Sequence, residues 1–120
     1  MEFDNPKGIY EQIAEHICAR IIQNEWHVGE RIPSIRELAI EQGVNPNTIT
    51  KTYQLLLDKG VIINQRGRGY FVCDDASNTI KKDMKLTFIR HDIPKLSKTM
   101  TLLDIDTNEL NEYLTQEKQK

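Results

Sequence analysis

The sequence has 120 residues, with 16 lysines and arginines against 18 aspartates and glutamates, a formal net charge of −2 at neutral pH. Hydrophobic residues make up 38% and charged residues 28%, which suits one small domain with a modest core, or such a domain with an appendage. No apolar run approaches the ~18 residues of a membrane span, the acidic and polar start MEFDNPKG does not read as a secretory signal, and the overall charge gives no global basic footprint.

There are no repeats and no low-complexity tracts. In GIYEQIAEHICARIIQ, Ile9, Ile13, Ile17 and Ile21 recur every four residues with Tyr10 and Ala14 beside them, one apolar stripe on a core helix. Cys18 and Cys73 lie far apart and form no CxxC pattern, so they read as two reduced thiols of a cytoplasmic protein. Gly29 permits a turn and Glu30-Arg31-Ile32 a very short strand. Ser34-Ile35-Arg36-Glu37 matches a capping box, predicting a short helix with Ile35, Leu38 and Ala39 inward and Gly43 at its end.

A second helix follows almost at once. Asn45 suits its N-cap and Pro46 its first position, while Ile49, Tyr53 and Leu56 line one face. Two short helices joined at Gly43-Val44 make a helix-turn-helix. Capping alone explains Asn45, but not the number of short polar side chains on the first two turns. Asn45, Asn47, Thr48, Thr50 and Lys51 are the residue types that bond base edges and phosphates when a recognition helix enters the major groove. The β-prone runs Val61-Ile62-Ile63 and Tyr70-Phe71-Val72 then flank Asn64-Gln65-Arg66-Gly67-Arg68-Gly69, a hairpin with a basic, glycine-rich tip. A hairpin directly after a helix-turn-helix is a wing. Gly67 and Gly69 let the backbone approach a duplex, and Arg66 or Arg68 can enter the minor groove or hold a phosphate. Charge follows the same division. Residues 44–73 carry Lys51, Lys59, Arg66 and Arg68 against Asp58, a net +3, whereas residues 1–43 carry four cations against eight carboxylates. So small a patch predicts few phosphate contacts per subunit.

Residues 9–72 resemble the N-terminal winged helix of the GntR family of bacterial transcription regulators. IYEQI, GERIPSIRELA, VNPNTITKTYQLLLDKG and RGRGYFV carry the resemblance, in the family's order and spacing, over a little more than half the chain. It implies a winged helix-turn-helix domain over residues 1–75 that binds double-stranded DNA, with no cofactor and no metal. It also adds Arg36, with Ser34, to the DNA-binding set. Asn24-Glu25 stands where relatives usually have glycine, which bears on the local turn. Thr50 and Lys51 stand where relatives often have arginine, which bears on the bases read.

In residues 76–120, Ile80, Met84 and Phe88 fit one stripe. Asp92-Ile93-Pro94 reads as a fresh helix start, followed by Leu96, Met100 and Leu103. Asp106-Thr107-Asn108-Glu109 resembles another capping box. The expected fold is therefore mostly α with one small β-hairpin, ending in two or three helices. Fewer than ~50 residues bury little surface alone, so Ile80, Met84, Phe88, Leu96, Met100 and Leu103 are expected to pack against a second copy. A short helical tail of this kind is similar to the YtrA subfamily, whose tail dimerises and whose target genes often encode transporters. The resemblance implies a homodimeric repressor on an inverted-repeat operator.

Other function classes fit less well. Some GntR relatives carry an aminotransferase-like domain, for which this chain is far too short. His16, His27 and His91 are scattered, His91-Asp92 reads as an ordinary helix end, and neither a metal-ligand spacing nor a nucleophile–base pair is visible. An adaptor that had lost DNA binding predicts an acidified or apolar recognition face, which this sequence lacks. RNA binding predicts an exposed aromatic platform, whereas Tyr53, Tyr70 and Phe71 read as core. The residues identify no effector ligand and no pocket for one.

Overall fold

The computed structural model describes residues 8–120, so the reading of the N-terminal stretch as no secretory signal falls largely on residues 1–7, outside the description. Helix α1 spans Ile9–Ile22 and buries Ile13, Ala14, Ile17 and Ile21. The stripe is one member shorter than its spacing predicts, because Ile9, at the first helical position, is 54% exposed. Past the end of α1 the chain turns through Asn24, whose φ of 62° is left-handed. Asparagine is among the non-glycine residues that tolerate this region best, so the turn survives without glycine. It brings in Trp26, which is buried. The Arg20 guanidinium lies 3.8 Å from the Trp26 ring centroid and bonds Glu25 at 2.6 Å and Glu41 at 2.8 Å.

Helix α2 spans Ile35–Gln42. The Ser34 hydroxyl accepts from the Glu37 amide at 3.1 Å, and the Glu37 carboxylate accepts from the Ser34 amide at 2.9 Å, which closes the capping box. Leu38 and Ala39 are buried and Ile35 half-buried. Gly43 ends α2 at φ 66°, and the Val44 amide reaches back to the Ala39 carbonyl. Helix α3, Pro46–Asp58, starts two residues later under an Asn45 cap. It buries Ile49, Thr52, Tyr53 and Leu56 and packs on both α1 and α2. Thr52 belongs to the core and not to the polar face. Its hydroxyl lies 3.0 Å from the carbonyls of Tyr10 and Thr48, a shared donor that ties α3 to the first turn of α1. The Tyr53 hydroxyl donates to the Pro33 carbonyl at 2.6 Å, and its ring meets Tyr70 edge-on at 4.8 Å. Burial pushes the Tyr53 phenol well above its ordinary pKa, so it remains a donor.

Strands β1 (Ile62–Gln65) and β2 (Gly69–Val72) pair antiparallel, with Ile62 opposite Val72 and Ile63 opposite Phe71. Ile62 and Val72 face the core, whereas Ile63 is exposed. The short Glu30–Ile32 segment pairs with the other edge of β2. The Ile32 amide donates to the Tyr70 carbonyl, the Val72 amide donates to the Glu30 carbonyl, and Arg31 stands opposite Phe71.

The described residues fall into two compact units, the first ending at Lys82 and the second running Asp83–Lys120. Helix α4, Ala76–Thr87, crosses the boundary. Its first turns complete the core of the first unit, with Ala76 fully buried and Ile80 2% exposed. Ile80 is therefore already covered within its own chain, which removes it from the surface expected to meet a second copy. The chain does not restart at Asp92. Residues Phe88–Asp92 form a π-helical turn that runs directly into α5, Ile93–Leu103. Asp92 is helical and its side chain caps nothing. Pro94 has no amide hydrogen to give the preceding turn and its ring crowds that turn; the wider turn keeps the helix going. Asp104 ends α5 in a left-handed conformation, and Asp106 caps α6, Thr107–Lys118, by accepting from the Glu109 amide. No residue of the second unit is buried; Met100, Ile105, Glu109 and Leu110 are half-covered. Among the described residues no helix is long and apolar enough to cross a membrane.

Tyr53→Phe tests the tie between α3 and the segment before α2. It leaves the Pro33 carbonyl without its donor, so unfolding free energy should fall by about 1–2 kcal/mol. Urea denaturation of the two proteins measures the difference, and equal midpoints would dismiss the bond as a stabilising contact.

Candidate nucleic-acid interface

The face of α3 opposite the core is built by helical spacing. With Ile49, Thr52, Tyr53 and Leu56 turned inward, Asn47, Thr50, Lys51 and Gln54 fall together on the outside, three and four residues apart. These side chains are not equally available. Asn45 spends its Oδ1 on the Asn47 amide at 2.8 Å and keeps its side-chain NH2. The Thr50 hydroxyl donates to the Pro46 carbonyl at 3.1 Å and retains only lone pairs for another partner. Thr48 is half-buried. Gln54 is held by Asp58 at 2.9 Å. Among the described residues the Asn47 amide group and the Lys51 ammonium have no protein partner. They are the side chains of this face most free to bond a ligand.

At the start of α2, both the hydroxyl oxygen and the amide of Ser34 serve the capping box, while Arg36 is exposed. The Glu37 carboxyl is held below the usual carboxylate range, first by the Ser34 amide and hydroxyl and less by the charge of Arg31. The capping box therefore stays ionised on its Glu37 side at neutral pH.

In the wing, the Arg68 amide donates to the Gln65 carbonyl at 2.8 Å and closes the turn. Gly67 sits at φ 78° with open space where a side chain would be, so conformation demands glycine there. Gly69 has a different reason. A Cβ on it would fall 2.8 Å from Nε of Arg31. The room that the sequence reading reserved for a duplex is used by the protein's own Arg31. Arg66 and Arg68 are exposed, and the Arg68 guanidinium carbon lies 5.9 Å from the Phe71 ring centroid.

Charge pairing separates the cations. Arg20 is engaged by two glutamates. Among the described residues Arg31, Arg36, Lys51, Arg66 and Arg68 form no ion pair. Four of these were expected from the sequence. Arg31 was not, because charge counting along the chain left it in the acidic N-terminal segment. Pairing of Glu30–Ile32 with β2 transfers it to the wing. The short strand was visible in the sequence, but its partner was not. The remaining apolar residues expected to join two copies belong to the second unit, where Met84, Phe88, Leu96 and Leu103 are exposed and Met100 is half-covered.

Comparison with known proteins agrees with this geometry. Residues 9–72 match the family described as bacterial regulatory proteins, gntR family. The chain is 31% identical over 106 residues to the HTH-type transcriptional repressor YtrA of Bacillus subtilis, which spans 88% of this chain and 81% of YtrA. The crystal structure of a GntR-family transcriptional regulator from Bacteroides thetaiotaomicron aligns with a TM-score of 0.79 at 32% identity, over 94% of this chain and 100% of that one. The DNA-binding domain of AraR, solved with operator ORR3, aligns with a TM-score of 0.52 at 30% identity, over 61% of this chain and 95% of that one. With its winged helix-turn-helix and these relatives, the chain belongs to the GntR family of DNA-binding transcriptional regulators.

Proposed function

We propose that this regulator is a homodimeric repressor that grips an inverted-repeat operator with two winged helices, α3 in the major groove and the wing against the adjacent backbone or minor groove. Residues up to Lys82 form the DNA-binding part and residues 83–120 the dimerising part. The carrying observation is the unburied apolar surface of the second unit. Phe88 is 50%, Leu103 59% and Leu102 79% exposed, with no buried residue to anchor them. A second copy of the same helices supplies what such a surface lacks, and a two-fold dimer is the commonest closed arrangement. Repression draws support from the likeness to a repressor along most of the chain.

Within each winged helix, Asn47 is assigned to base edges and Thr48 to the edge of that contact. Asn45 and Thr50 contribute their remaining amide and lone pairs. Lys51, Arg36, Arg66 and Arg68 are assigned to phosphates, where unpaired cations release counterions on binding. Ser34 acts by holding the α2 terminus in place, and Gly67 by turning the wing tip. The rival reading, an adaptor without DNA binding, gains nothing from a polar helix face or from Arg31, Arg36, Lys51, Arg66 and Arg68, which form no ion pair among the described residues.

Selection from a random duplex library should recover an inverted repeat with half-sites about one turn, ~34 Å, apart. Asn47→Ala should relax preference at one position per half-site by about 1–3 kcal/mol; a uniform loss over all sequences would assign Asn47 to phosphate instead. Lys51→Ala and Arg68→Ala should each weaken binding of every sequence and flatten its salt dependence, with thermal midpoints unchanged to within ~0.5 kcal/mol of stability. Parental affinity in either variant at moderate salt would remove that residue from the site.

Phe88→Glu and Leu103→Glu should convert the full chain to a monomer in sedimentation. Operator affinity should drop by about 10²–10⁴, the avidity of a tethered second domain. A parent that sediments as a monomer yet binds one half-site tightly would reject the dimer.

A further inference from the structure

We infer that Arg31 is a further phosphate-binding residue, laid across Gly69 so that its guanidinium and that of Arg68 flank Phe71 and grip the DNA backbone beside the wing. The inference deepens the proposed DNA-binding reading and rests on it.

Three observations carry it. The first is placement. Arg31 pairs with Phe71 in the β ladder, so their side chains share a face of the sheet. Gly69, two residues along β2, lies on that same face. Nε of Arg31 lies 2.8 Å from where a Gly69 Cβ would be, so the arginine leans along the strand toward the wing tip. Arg68 comes to the same face from the tip, with its guanidinium carbon 5.9 Å from the Phe71 ring centroid.

The second is charge. Arg31 is exposed and has no ion pair among the described residues, although Glu37 feels its field. Two guanidiniums brought to one small surface without an ion pair to either repel each other, and a bound anion relieves that repulsion. Their planar forks match phosphate oxygens. The third is backbone. Gly69 holds φ 117°, which side chains rarely adopt, and a Cβ there would displace the Arg31 side chain.

The test uses the full chain and a duplex of random sequence at low salt, because a phosphate contact does not read bases. Arg31→Gln should bind about tenfold more weakly, the share expected of one charge-assisted contact. Its plot of log affinity against log salt should be shallower by about 0.9 per subunit. Arg31→Lys should restore the slope and part of the affinity. Gly69→Ala should weaken binding in the parent but add little in the Arg31→Gln background, since both act on one guanidinium. Lys51→Ala, measured alongside, separates this inference from the wider reading. If Lys51→Ala weakens binding while Arg31→Gln binds with parental affinity and slope, Arg31 is not a contact. If Arg31→Gln lowers the thermal midpoint and leaves the salt slope alone, its role is packing and the inference fails. If the parent itself binds no duplex, the DNA-binding reading and this one fall together.

Discussion

The phenol of Tyr53 touches three parts of the first unit at once. Its backbone belongs to α3, its hydroxyl bonds Pro33 just before α2, and its ring packs edge-on against Tyr70 of β2. An aromatic pair of this kind contributes about 0.5–1.5 kcal/mol beyond its buried area. A buried hydroxyl is costly unless bonded, so the Pro33 carbonyl turns a liability into a fixed distance. Helix α3, the capped start of α2 and the wing are therefore positioned from a single side chain. Thr52, one residue earlier, does the equivalent for α1. Adjacent positions on the inner face of α3 thus set where its outer face stands.

Much of this was legible in the sequence, for local reasons. Capping boxes, proline at a first helical position and glycine at a helix end are chemical requirements of the backbone, so Ser34, Asn45, Pro46 and Gly43 announce their helices. The inward residues Ile49, Tyr53 and Leu56 follow from period alone. What stayed hidden depends on partners distant in sequence. Thr52 looks polar until the Tyr10 carbonyl is placed beside it, and Arg31 looks like part of an acidic segment until β2 pairs with Glu30–Ile32. Ile80 reads as one of a stripe until the core of the first unit claims it. Asp92-Ile93-Pro94 carries the lettering of a helix start, but the neighbouring turn absorbs the proline and no start is needed.

The two units are stabilised in opposite ways. The first has a closed apolar core, with Ile17, Leu38, Ile49 and Leu56 wholly out of water. Among the described residues it keeps Arg31, Arg36, Lys51, Arg66 and Arg68 exposed and without an ion pair, an arrangement that costs some self-repulsion and leaves those groups ready for an anion. The second has exposed leucines and no buried residue of its own.

The π-helical turn at Phe88–Asp92 decides what can be laid there. In an unbroken α-helix the residue one turn above Phe88 is Asp92, whose charge would interrupt an apolar seam. In the widened turn the Ile93 amide bonds to the Phe88 carbonyl, and Ile93 takes that place. The single extra residue corrects the angular phase by about 100°, one residue's rotation in an α-helix. Met84 and Phe88 are thereby brought into line with Ile93, Leu96, Met100 and Leu103. Without that correction the apolar residues on either side of the turn would point in different directions. With it they form one strip roughly 30 Å long at 1.5 Å per residue, a continuous rail on which a partner helix can lie.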